Sequence, residues 1–207
     1  MMEYFTIFRI FYATKTNFMN RLTIALLSAA VICGTRPAAA QSDAEMKAMM
    51  AYSTPGEIHQ MMGKSVGTWQ TDITMWMQPG APPVTSKGET TNQMILGGRY
   101  LQSKNTGTFM GAAFEGIGMM GYDNAKKMFV NSWIDNMGTG MMYLTGTWDA
   151  NTKSINLSGT MVDPMKGGDV KVREVYKIVD DNTQTMEMYS ITNGQEFKNM
   201  EIKFTRK

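Results

Sequence analysis

Cysteine and histidine are nearly missing from this sequence: Cys33 and His59 are the only two in 207 residues. One cysteine cannot build a disulfide framework, and zinc, which takes several nitrogen or sulfur ligands, finds none to join His59. His59 is read as a capping or surface residue rather than a metal or haem ligand. Long apolar runs are absent too. A helical membrane span needs roughly 20 apolar residues, and the run at residues 22–33 falls well short. There is no G-x-S-x-G and no Walker sequence, and "GIGMMG", residues 116–121, lies inside a strand-like segment rather than ahead of a helix. The motifs of acyl-transfer and phosphate-loop enzymes are therefore lacking.

What is present begins with an export pattern. From Met19 the chain reads "MNRLTIALLSAAVICGTRPAAAQSDAE": basic Arg21, a short apolar run, then Ala38-Ala39-Ala40. That order marks a secretory signal cleaved after Ala40. Residues 1–18 precede it and are interrupted by Arg9, so Met19 is the expected start, a longer basic leader being the alternative. The mature protein is expected in the periplasm or outside the cell, without an integral span. Of the 20 basic residues, Arg9, Lys15, Arg21 and Arg36 lie in residues 1–40, as does Glu3 of the 18 acidic ones, so removal moves net charge from +2 to −1. The pI of 8.6 thus belongs partly to the leader, and nucleic-acid binding is not expected.

Residues 41–66 read as a helical cap. "SDAE" has a capping-box pattern, Met46, Met49 and Met50 recur at helical spacing, Pro55 opens a second short helix, and Gly63 marks its exit. After Gly67 the period becomes two: Trp69, Thr71, Ile73, Met75 and Met77 fall on one side. About ten such segments follow, divided by polar turns such as "LGGR", "DNAKK", "DANTK", "DDNT" and "NGQE". Short turns with no helices between strands favour antiparallel neighbours. Closure removes two aggregation-prone edges, and Gly116, Gly118, Gly140, Gly146 and Gly159 suit bends or close approach. The expectation is an all-β, up-and-down antiparallel barrel over residues 67–207, preferred over a sandwich.

In such a barrel Gly67 permits a sharp entry, Trp69 plugs one end, and Arg206 on the last strand can sit over the indole. This pairing of an early Gly-x-Trp with a late Arg resembles the calycin superfamily, which includes the lipocalins. Over residues 55–206 the stretches "PGEIHQMMGKSVGTW", "LGGRYL", "FEGIGMMGYDNAKKMFVNSWIDNMG" and "MEMY" resemble the secreted bacterial family termed domain of unknown function 1579. That resemblance implies a calycin-type barrel and export, and carries no reaction.

Candidate chemistry then concerns the lumen. Lumen candidates are Arg99, Glu115, Tyr122, Phe129, Trp133, Asp135, Tyr143, Arg173 and Tyr189, aromatics with polar anchors suited to an amphipathic ligand. Asp135 with Glu115 or Glu174 would be the carboxylates of a paired site, though no spacing requires one, and no residue is assigned a catalytic role. The 23 methionines are read as flexible core filler rather than a copper site, because adjacent residues on a strand point to opposite faces. No cofactor or metal is expected. The expected function is binding of a small apolar or amphipathic molecule. The alternatives are a filled barrel acting as a structural or interaction module, with a homodimer as one form, and a small barrel enzyme.

Overall fold

The computed structural model describes residues 43–164 and 167–207. The leader, the signal, Met19, Cys33 and the cap residue Ser42 lie outside the described residues. The chain divides at Met49. Before that point, residues 43–48 are exposed and form the start of helix α1 (Asp43–Ser53), with Asp43 and Glu45 at its electropositive first turn. The unit Met49–Lys207 holds the rest of α1, helix α2 (Glu57–Gly63) and ten strands. No helix among the described residues is long and apolar enough to cross a membrane.

The strands are β1 (Gly67–Met75), β2 (Val84–Ile95), β3 (Tyr100–Phe109), β4 (Ala112–Asp123), β5 (Met128–Asp135), β6 (Met142–Asp149), β7 (Ser154–Asp163), β8 (Gly168–Ile178), β9 (Thr183–Thr192) and β10 (Gln195–Arg206). Each pairs antiparallel with the next, and β1 pairs with β10 from Trp69↔Arg206 to Met75↔Met200, so the sheet is a closed up-and-down barrel. Among the described residues no strand edge of the barrel is left free. Met77 falls beyond β1 and is exposed.

Turn chemistry fixes this order. Asn193 and Gly194, both at positive φ (53° and 76°), form the two-residue link between β9 and β10, the pairing that matches strand twist. Asp123, Asp149 and Asp180 each accept a backbone N–H two residues on, at 2.9, 2.9 and 2.8 Å, closing their own turns. Gly67 sits at φ 128°, a conformation open to residues without Cβ, and a Cβ there would stand 2.9 Å from the Arg206 guanidinium.

Of the strand glycines, Gly146 is the tightest: a Cβ would meet the Asn156 carbonyl oxygen at 1.7 Å. Gly140 differs from expectation, lying outside any strand with open space around it. Gly146→Ala is expected to cost about 1–3 kcal/mol, read as a lower urea midpoint at unchanged slope. Gly168→Ala, with nothing near its added methyl, is the control and should stay within about 0.5 kcal/mol.

The core lies toward the α2 end. Met62 joins Leu101, Phe129, Leu144, Ile155, Leu157 and Val172 in one buried cluster, with Ile58 and Met61 of α2 packed against it. His59, at the third position of α2, accepts the Gly56 N–H through Nδ1 at 3.1 Å. It therefore caps the helix, buried rather than at the surface, and burial lowers its pKa.

Candidate functional site

Register decides which side chains face the lumen, because alternate residues of a strand share a face. Trp69 opposes Thr90 and Arg206; Glu174 opposes Leu157 and Met188; Trp133 opposes Gly118 and Met142. Following these pairs around the sheet assigns one inward row to every strand, a bulge between Lys198 and Met200 on β10 moving the row to Phe197 and leaving Lys198 outward beside Tyr189.

The end next to α2 is plugged. Trp69 is fully buried, its Nε1 donating to the Ser65 carbonyl at 2.9 Å. Asn92 Nδ2 donates to the same carbonyl at 3.1 Å, Gln184 Nε2 donates to Ser65 Oγ at 3.0 Å, and the Tyr176 hydroxyl donates to Gln184 Oε1. Burial pushes the Tyr176 phenol up, so it stays a donor. The Arg206 guanidinium lies 4.1 Å from the Trp69 ring centre. It donates to the carbonyls of Val66 at 2.7 Å, Lys64 at 2.6 Å and Asp181 at 2.9 Å. All of these groups are internally satisfied except Asn92 Oδ1, which is buried without a partner.

Toward the opposite end, the inward row changes character. Asn131, Met186 and Ile202, midway along their strands, are only half-buried, as are Phe109, Phe114, Trp133, Met161 and Met200. In a filled barrel these mid-strand positions would be sealed like Leu144. One cause is visible at β4. Gly116 and Gly118 leave room for the Trp133 indole to lie flat on the wall, and a Cβ at Gly116 would meet its ring at 2.4 Å. Phe114 stacks on it with ring centres 6.4 Å apart. Trp133 Nε1 donates to Asp135 Oδ2 at 2.7 Å, while Asp135 Oδ1 accepts the Met137 N–H at 2.9 Å. Thr90 Oγ1 donates to Asn105 Oδ1 at 2.5 Å, and Asn105 Nδ2 reaches the Gly116 carbonyl at 3.5 Å. The result is an aromatic and amide-lined wall, with rings laid against it rather than projecting across it.

Glu174 stands apart. It is 6% exposed, and no hydrogen bond or counter-ion among the described residues reaches its carboxyl. Burial alone raises its pKa to about 7, because desolvation penalises the charged form.

The lumen candidates divide. Tyr122, Phe129, Trp133 and Asp135 face inward, Phe129 within the sealed core. Glu115, Tyr143, Arg173 and Tyr189 face outward, each the immediate neighbour of an inward residue. Tyr143 is 56% exposed. Arg173 forms a two-pronged ion pair with Glu196 at 2.8 and 2.7 Å and lies 4.1 Å over the Tyr189 ring, all on the outer surface. Arg99 precedes β3 and donates to Leu96 and Ser53 carbonyls at 3.0 and 2.7 Å. With His59, Tyr52 and Tyr122 it lines a cleft of about 300 Å³ beside Ser53, Thr54 and Pro55. In the sequence alone Glu174 stands out only as a carboxylate to pair with Asp135. The available signal was the alternation Val170, Val172, Glu174, Tyr176 against Lys171, Arg173 and Lys177, three cations on one face.

Comparisons with known proteins bear on family and, for one solved structure, on fold. The family described as "Protein of unknown function (DUF1579)" matches residues 54–206. The crystal structure of Rv2717c from M. tuberculosis is similar with a TM-score of 0.56 at 13% identity, covering 74% of this chain and 99% of that one. A redesigned beta barrel is 16% identical, with a TM-score of 0.37, covering 70% of this chain and 94% of its own. No curated protein matches in sequence.

Proposed function

Because the chain belongs to the DUF1579 family, proteins of unknown function, its fold brings no reaction with it, and we propose from the lumen that it binds a small apolar or amphipathic molecule. The observation that carries this reading is the half-buried inward row at mid-strand, Asn131, Met186 and Ile202, opposite a plugged end. Concave, mostly apolar walls with a few polar groups are what small-molecule sites are made of. The methionines of this row, Met161, Met186 and Met200, supply adaptable apolar contact. With the signal-like leader, the reading becomes that of an exported, lipocalin-like carrier or sensor in the bacterial envelope.

Native mass spectrometry tests it. Wild-type protein is expected to retain a non-covalent adduct from the cell, and Asn131→Trp, which places a large ring in the lumen, is expected to lose it while keeping a cooperative thermal transition. Bare polypeptide from both proteins under several growth conditions would overturn the reading.

A second reading rests on the outer wall. Ile117 and Ile134 pair across β4 and β5 with 40% exposure each, and Tyr143 lies one strand further on. An apolar strip of this kind favours a self-association or interaction surface, the form in which a structural module or homodimer would act.

A further inference from the structure

We infer that the lumen ligand is an amphipathic amine, whose cationic head pairs with the Glu174 carboxylate while its apolar body lies along the barrel wall. This rests on the reading of the barrel as a small-molecule binder.

The first ground is geometry. Glu174 projects from the inner face of β8 between Leu157 on β7 and Met188 on β9, with Val172 and Tyr176 two residues away on its own strand. None of these can donate to it: Leu157, Met188 and Val172 are apolar, and the Tyr176 hydroxyl is spent on Gln184. Buried polar side chains are almost always partnered, and a lone carboxyl could be replaced by a hydrophobe with gain in stability. An unpartnered acid at 6% exposure is explained by a partner that arrives from outside the chain.

The second ground is the sign of the charge inside. Among the described residues the inward rows hold three acids, Asp135, Asp163 and Glu174, and no lysine. The one inward arginine, Arg206, is at the plugged end with its nitrogens on three carbonyls. The strand lysines Lys87, Lys104, Lys171, Lys177, Lys198 and Lys203 stand with Arg173 on the outer face. A low-dielectric interior whose unpaired charges are of one sign draws the opposite sign, so fatty acids and other anions are disfavoured and cations favoured. A head group that pairs with Glu174 also removes the cost of an isolated buried charge.

The full chain is to be titrated by calorimetry with three probes of equal chain length: decylamine, decanol and decanoate. Decylamine is expected to bind tightest and decanoate weakest. Glu174→Gln, which keeps the shape and removes the charge, is expected to weaken decylamine about tenfold or more and leave decanol unchanged. Wild-type affinity for decylamine should rise between about pH 6 and 8 as the carboxyl ionises, and the variant should lose that rise. The titratable groups sharing the lumen are Asp135, Asp163, Tyr122 and Tyr176, all retained in the variant. If amine and alcohol bind equally and Glu174→Gln alters neither, the amine assignment is overturned while the binding reading stands. If none of the three binds, both fall.

Discussion

Glu174→Leu is expected to gain stability over the ligand-free wild type as pH rises, the difference growing by about 3 kcal/mol between pH 4 and pH 8. The wild-type carboxyl titrates near 7 when folded, against an ordinary value of 4.5. Below the ordinary value it is protonated in both states and costs nothing extra. Between the two values the folded state holds a proton that the unfolded state has lost, so wild-type stability from this group falls as pH rises, and levels off above about pH 7. Leucine has no such slope. Other carboxyls run the opposite way: Glu187 beside Lys198 and Glu196 beside Arg173 are held below their usual range by those cations. They are common to both proteins and cancel in the comparison. Urea denaturation at a series of pH values reads the result, and parallel stability curves for the two proteins would refute it.

Trp69→Ala is expected to lose about 3–5 kcal/mol, the range for removing a fully buried aromatic ring. The ring has no exposed surface, and its removal also strips the Nε1 bond to Ser65 and the contact with Arg206. Arg206→Ala should be costly too, because it frees three carbonyls at the plugged end. In a double-mutant cycle the cation–ring contact should appear as a coupling of about 0.5–2 kcal/mol. A loss below about 1 kcal/mol for Trp69→Ala would mean that the plug is not what holds the seam shut.

Much of the fold could be read from residues alone, because two independent signals agree. Period-two alternation defines the strands, and the glycine and Asx turns divide them, so that β5 and β7 occupy the expected "MFVNSWID" and "SINLSGTMVD". Closure was legible from Gly67, Trp69 and Arg206 because a plug needs both ends of the sheet to meet. The lumen was harder. On β8 both faces mix charge with valine, Val170, Val172 and Glu174 against Arg173, Val175 and Lys177, so Arg173 and Glu174 compete for the interior, and on β9 Met188 and Tyr189 do the same. A one-residue difference in parity exchanges the two faces entirely. The choice is settled by cross-strand partners: Glu174 falls in line with Leu157 and Met188, and Arg173 with Tyr189 and Ser158. Such partners lie on other strands, where no local pattern records them.

The seam between β1 and β10 also sets a schedule for assembly. Trp69 and Arg206 are separated by nearly the whole domain, so a sheet that grew strand by strand from β1 would stay an unzipped ribbon until β10 joined it. The cost of joining such distant strands falls on the final event rather than being spread along the chain. A partly assembled sheet of this design carries two free edges, and its safety depends on how soon the ribbon becomes a tube.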